Sequence, residues 1–203
     1  MMQDSKKIKS FSEVTDFHGH ICPGSALGYR AALAAMEKLS HQRAPDEELV
    51  AIVENDTCAV DAVQVVSGCT MGKGNLIFRD YGKQAYTFLN RKNGACVRVS
   101  LKSSFDLNRL EPKLGVLREK ISQNTASTDE KEQLKTITEE ISQKILEIPI
   151  KDLFNVEKVK MELPAKARIF KSKKCSLCGE MVSEHRSRIK SGKIVCIPCF
   201  EED

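Results

Sequence analysis

The strongest constraint on this chain lies in residues 175–199: Cys175-Ser-Leu-Cys178, a gap of 17 residues, then Cys196-Ile-Pro-Cys199. A Cys-x-x-Cys pair presents two thiolates to one ion from a tight turn, and two such pairs complete a tetrahedral sulfur shell. So short a stretch cannot bury a self-sufficient core, so bound metal must supply most of its folding free energy. Gly179 follows the first pair, where the backbone needs a permissive residue. Ser191-Gly192 sits where a hairpin turn would join Arg188 to the strand-like Lys193–Val195. The expectation is a structural zinc ion on Cys175, Cys178, Cys196 and Cys199. A redox dithiol or an iron–sulfur site uses the same ligands, but neither has an accompanying signature. Arg186, Arg188, Lys190 and Lys193 offer charge to a nucleic acid. Glu180, Glu184, Glu201, Glu202 and Asp203 stand beside them, and no aromatic stacking platform accompanies the charges. A solvated surface is favoured over a nucleic-acid partner.

These four are half of the eight cysteines. In a secreted chain that number would suggest a disulfide scaffold. The N-terminal MMQDSKKIKSFSEVTDF lacks the apolar core of a signal peptide, and no run approaches the roughly 18–20 apolar residues that span a bilayer. The longest apolar pattern, Ala26 to Leu39, is broken by Arg30, Glu37 and Lys38. A cytoplasmic protein without membrane contact is expected, with reduced thiols available for metal or thiol chemistry. Hydrophobic residues at 41% and charged residues at 30% fit a folded protein rather than a disordered one. A net charge of +4 is too small to imply nucleic acid by itself.

Hydrophobic spacing predicts a helix from Pro23 to about Ser40, with Pro23 at its first position. A buried strand follows at Leu49–Glu54, then capping residues Asn55, Asp56 and Thr57 and a second helix, Cys58–Val66. Ser67-Gly68 ends it, and Cys69 to Asn75 forms a Gly-rich loop. Strands are predicted at 75–79, 84–90 and 95–101, the last two joined by the hairpin signal Asn93-Gly94. Leu107 to Ser122 is mixed, with a helix start at Pro112. Ser127-Thr-Asp-Glu130 reads as a capping box before a charged helix reaching Glu147. Val156–Leu163 alternates as a strand, and Ala165–Lys174 reads as a basic linker. The sum is an α+β fold: a helix and antiparallel-sheet core over 1–165, and a small four-cysteine zinc finger over 166–203.

The most informative core segment is Phe17-His18-Gly19-His20-Ile21-Cys22-Pro23-Gly24. Residues two apart in an extended chain point the same way, so His18, His20 and Cys22 can converge on one centre. Cys22 falls near a helix N-cap, where the dipole favours a thiolate as ligand or nucleophile. Cys58 holds the equivalent place on the second helix, with Asp61 one turn later on the same face. Cys69 lies in the loop whose Gly72 and Gly74 let backbone approach a ligand and whose Lys73 could meet an anion. The loop is not a P-loop, because the G-x-x-x-x-G-K-[ST] spacing is absent. Cys96 reads as packing.

His18-Gly-His20-Ile-Cys22-Pro-Gly24, then Gly28-Tyr-Arg30-Ala-Ala, Cys58-Ala-Val-Asp61-Ala-Val-Gln64 and Gly68-Cys69-Thr-Met-Gly72-Lys73-Gly74-Asn75 resemble the FmdE family of formylmethanofuran dehydrogenase over residues 10–165. The finger resembles treble-clef and ribbon fingers, including that of DksA/TraR-type factors. The family resemblance implies an α+β core, often dimeric, with motif Cys and His at a metal-containing active site and a link to one-carbon metabolism of methanogens. The molybdenum or tungsten pterin of the parent enzyme would lie on other subunits. Site residues carried over are His18, His20, Cys22 and Cys58 for zinc or another transition metal, Cys58, Cys22, Asp61 and Lys73 for catalysis, and Cys69, Gly72 and Gly74 for cofactor contact. The reading is a metal-binding subunit or relative of that dehydrogenase acting on a small molecule. The alternatives are an accessory protein that handles metal or cofactor without turnover, and a regulator that uses the finger on nucleic acid or polymerase.

Overall fold

The computed structural model describes residues 7–202. They form two compact units divided between Lys166 and Ala167. The first holds α1 (Phe11–His18), α2 (Pro23–Leu39), β1 (Leu49–Val53), α3 (Ala59–Ser67), β2 (Leu76–Phe78), β3 (Ala85–Asn90), β4 (Cys96–Leu101), α4 (Leu107–Leu110), α5 (Lys113–Ser122), α6 (Thr128–Glu147), α7 (Ile150–Leu153) and β5 (Phe154–Lys158). The fold class is α+β, as the sequence predicts.

The strands make one sheet in the order β2-β1-β3-β4-β5. All pairs are antiparallel except β1 with β2, so the sheet is mixed rather than purely antiparallel. A parallel pair needs a crossover, and α3 supplies it. β1 lies between β2 and β3 and all five of its residues are buried. Both faces are covered, which is why it reads as an unbroken apolar run. Leu49, Ala51 and Val53 join the main core beneath the helices, whereas Val50 and Ile52 join Leu89 and Cys96 on the opposite face. Cys96 is thus a packing residue on the second face, as its strand pattern suggests.

Helix α2 is the hub: it packs against α3, α6 and β4. Its small residues set how closely. Ala26, Ala31, Ala32 and Ala35 are fully buried. A Cβ on Gly28 would lie 2.2 Å from the Ala59 carbonyl oxygen and 2.6 Å from Ala59 Cα. One turn earlier, a Cβ on Gly24 would lie 3.1 Å from Cys58 Cβ. Only glycine lets the two helices approach at this distance. At the other side, Arg30 donates through Nη1 to Leu146 O at 2.6 Å and through Nη2 to Ile148 O. A guanidinium there satisfies orphan carbonyls and complements the helix dipole at the end of α6. α6 begins at the Ser127/Glu130 capping box and buries Ile137, Ile141 and Ile145 at i, i+4 spacing.

One helix is added and two expectations are corrected. The sequence reading assigns no element to 11–18, where α1 forms; a Ser10/Glu13 capping box starts it, and Val14 is its buried residue. The strand expected at 156–163 lies at 154–158, paired Leu101 to Phe154 through Val97 to Lys158. The Val159 N–H still reaches Cys96 O, but β4 begins there and has nothing further to pair; Met161 and Leu163 are exposed. The expected basic linker contains a strand, β6 (Ser172–Lys174).

The second unit has two hairpins, β6 (Ser172–Lys174) with β7 (Met181–Ser183) and β8 (Arg188–Lys190) with β9 (Lys193–Val195), followed by α8 (Ile197–Glu201). Ser191 and Gly192 make the second turn with φ of 51° and 75°. Its buried cluster consists only of Cys175, Val195 and Cys199, with Cys196 against it. It also carries an aromatic arrangement that sequence patterning does not reveal: Phe170 and His185 stack at 3.9 Å, with the Arg168 guanidinium 5.1 Å from the Phe170 ring. Among the described residues no helix is long and apolar enough to cross a membrane.

Gly28→Ala gains helix propensity of about 1 kcal/mol, but its methyl meets backbone that cannot rotate away. Overpacking of this kind costs about 1–3 kcal/mol, occasionally more. The variant is expected to melt several degrees lower, as read by thermal unfolding, whereas Gly72→Ala, whose Cβ would meet nothing within 4 Å, leaves the transition in place.

Candidate metal centres

Two groups of ligand atoms converge, each with all members within 4.8 Å of one another: His18, His20, Cys22 and Cys58, and Cys175, Cys178, Cys196 and Cys199. A tetrahedral zinc with bonds of about 2.0–2.3 Å requires ligand atoms roughly 3.3–3.8 Å apart. Cys22 Sγ lies 3.7 Å from His18 Nε2, and Cys178 Sγ lies 3.8 Å from Cys196 Sγ. Both donor sets fit a tetrahedral ion.

The first group is not built on an extended strand. His18 is the last residue of α1, and Gly19 caps that helix in the left-handed region at φ 88°, its N–H bonded to Thr15 O. A Cβ is costly there. This turn swings His20 back beside His18, with ring centroids 4.4 Å apart. Cys22 then caps α2 with Pro23 at the first position. Its Sγ accepts from the Ser25 N–H at 3.3 Å, and its own N–H donates to Ser25 Oγ at 3.3 Å. Cys58 sits at the N-terminus of α3 and makes no capping hydrogen bond; its thiol is directed instead to Cys22. Asn55, buried just upstream, accepts from the Thr57 N–H and hydroxyl, and donates to Lys83 O at 2.7 Å. It ties the Cys58 turn to the segment that leads into β3. Ser25, Gly24 and Asn55 are site residues that sequence reasoning misses; their only signal is the capping pattern around each cysteine.

Asp61 completes the group from behind. Its Oδ2 accepts from His18 Nδ1 at 2.7 Å, which fixes the ring and turns Nε2 toward Cys22. A carboxylate behind a histidine is the arrangement that orients a metal-ligating imidazole. Burial pushes the His18 pKa down, but the Asp61 carboxylate and Cys22 outweigh it, and the net shift is upward. The two thiols move apart. Burial pushes Cys22 up, but hydrogen bonds from the Ser25 hydroxyl and N–H, then from Cys58 and His18, hold it below the ordinary cysteine range. Cys58 is pushed up by burial and by its neighbour Cys22. The two thiols, though both at helix starts, therefore shift in opposite directions.

The Gly-rich loop does not join this group. Cys69 is fully buried, its thiol donates to Leu49 O at 3.4 Å, and burial pushes its pKa up to about 11. Lys73 Nζ donates to the carbonyls of Ala44, Pro45 and Asp46 at 3.2–3.3 Å. Gly72 and Gly74 lie in the turn that brings Lys73 there, Gly74 at φ 74°. Asn75, also buried, accepts from Thr70 N–H and donates to Asp46 O and Leu49 O. The loop pins two chain segments together; it presents neither a thiol nor a cation to a ligand.

In the second group, the N–H groups of Cys196, Cys178 and Leu177 converge on Cys175 and bring its pKa to about 6 against the opposing effect of burial. Gly179, at φ 79°, closes the first turn by donating to Cys175 O.

Residues 17–155 match the family described as "FmdE, Molybdenum formylmethanofuran dehydrogenase operon", and residues 168–203 match the prokaryotic dksA/traR C4-type zinc finger. A protein of Archaeoglobus fulgidus described as "Probable S-adenosyl-L-methionine-binding protein" is 36% identical over 204 residues. That match takes in 96% of this chain but 53% of the relative, so the chain spans about half its length. A crystal structure of an FmdE-like protein of tungsten formylmethanofuran dehydrogenase type, from Syntrophus aciditrophicus, superposes with a TM-score of 0.57 at 23% identity, over 97% of this chain and 96% of that one. This last likeness shows the shared fold.

Replacing the oxygen that holds His18 tests the first group. Partners behind metal-ligating histidines contribute roughly 10–100-fold in metal affinity. Asp61→Asn is expected to weaken zinc binding at this group by that factor in a competitive chelator titration, while zinc on the four cysteines stays unchanged.

Proposed function

This chain belongs to the FmdE family, and from that premise we propose that His18, His20, Cys22 and Cys58 hold one transition-metal ion, zinc by preference, at the working centre of a subunit or relative of formylmethanofuran dehydrogenase. The observation that carries the reading is the convergence of four donors from the end of α1, the start of α2 and the start of α3, with Asp61 behind one of them. A metal ion bound there supplies Lewis-acid polarisation of a carbonyl or carboxyl oxygen. The chain's own residues do the rest. Asp61 orients the His18 ring, the Ser25 hydroxyl and N–H stabilise the thiolate form of Cys22, and burial beside Cys22 disfavours the thiolate of Cys58. The same reading takes the chain as cytoplasmic, as a homodimer, and as a partner of dehydrogenase subunits that carry the molybdenum or tungsten pterin. The four-cysteine finger holds a structural zinc.

The deciding measurement is metal per chain on anaerobically purified protein. Two ions are expected, one lost in Cys22→Ala or Cys58→Ala and the other lost in Cys175→Ser/Cys178→Ser. A single ion, lost only with the finger cysteines, would overturn the reading.

A second reading follows the Archaeoglobus relative. A cleft of about 440 Å³ beside the first group is walled by Val53, Val60, Met71 and Phe78 and carries Asp56 and Asp61. Apolar walls with carboxylates suit a sulfonium joined to an aromatic base. Calorimetry is expected to show S-adenosylmethionine binding there more tightly than the uncharged S-adenosylhomocysteine; equal affinity for both, or none, removes this reading.

A further inference from the structure

A second cleft, of about 530 Å³, opens on the other side of Cys58. Cys22, Gly24 and Cys58 line it, so the thiol pair is reached from here without a side chain on Gly24 in the way. Leu27, Phe105 and Leu107 give it an apolar wall, and Thr57, Gln84 and Asn108 add uncharged polar groups. One cation lines it, Arg118 of α5. Arg118 is exposed, and its guanidinium makes no hydrogen bond or ion pair with the described residues. One carboxylate lines it as well, but Asp106 is engaged: it caps α4 by accepting from the Asn108 N–H at 2.9 Å.

We propose that this cleft is the substrate channel of the first metal group and takes a small organic carboxylate, with the apolar body on Leu27, Phe105 and Leu107 and the carboxylate on the Arg118 guanidinium. The inference rests on the reading that the His18/His20/Cys22/Cys58 group is the working centre. A planar guanidinium matches a carboxylate through two parallel hydrogen bonds. A single cation near Asp106 suits a monoanion rather than a phosphate dianion, for which a cluster of cations would be needed. Arg118 is thus a specificity residue, and Gly24 keeps the route to the thiols open.

The test uses the full chain, titrated with 6,6,6-trifluorohexanoate and with the matching alcohol, and followed by fluorine NMR. Metal content is counted on the same samples. The carboxylate is expected to bind about tenfold more tightly than the alcohol, and R118Q is expected to abolish that preference while R118K retains part of it. Since the Arg118 guanidinium makes no hydrogen bond or ion pair among the described residues, the melting temperature of R118Q should match the parent. No binding of either probe, no preference for the carboxylate, or a preference that survives in R118Q overturns the proposal. If the first group proves to hold no metal while the Arg118-dependent preference persists, the failure lies with the metal reading and not with the anion site.

Discussion

The structure depends on one close contact, the crossing of α2 and α3 at Gly24 and Gly28. Without side chains at these positions the backbone of α3 comes within van der Waals reach of α2, and the first turns of both helices are brought side by side. The thiols of Cys22 and Cys58 meet because the helices that carry them do. The alanines further along α2 continue the same contact into the core, and Arg30 extends it to the far end of α6. A site assembled from the start of two helices is only as precise as the crossing that aligns them, and glycine fixes that crossing by sterics rather than by adhesion.

Much of this is legible in the sequence because it is coded locally. The four-cysteine spacing, the capping box at Ser127, the hairpin at Asn93-Gly94 and the unbroken apolar run of β1 each specify a short-range geometry. The convergence of His18, His20, Cys22 and Cys58 is also foreseeable, though by a different route. Alternation along an extended strand points to it, whereas a helix end and a left-handed glycine bring it about. What escapes reading is non-local. Nothing in the Cys69 neighbourhood says that its sulfur faces inward to Leu49, since a helix end followed by glycines looks alike whether it lines a cleft or plugs a core. Lys73 presents the same difficulty: its three carbonyl partners lie some thirty residues earlier. The Phe170–His185 stack joins residues that are far apart along the finger, and composition alone cannot pair them.

The clefts on either side of Cys58 differ in chemistry. One is acidic, with Asp56 and Asp61; the other carries an unengaged guanidinium. Cys58 and Thr57 belong to both. A turn pinned by Asn55 therefore forms the wall between an acidic environment and one where a guanidinium stands opposite a carboxylate. The thiols shift apart for a local reason: hydrogen-bond donors around Cys22 favour its thiolate, while burial and the neighbouring sulfur disfavour that of Cys58.

The sulfur of Cys22 performs two tasks. It takes the place that a serine or aspartate oxygen usually holds at a helix start, accepting from Ser25, and it is also a member of the donor group. Whatever draws electron density from that sulfur weakens the acceptor on which the first turn of α2 relies, and whatever leaves it anionic strengthens that turn. The start of the helix that organises the core and the convergence of the four donors thus share a single atom.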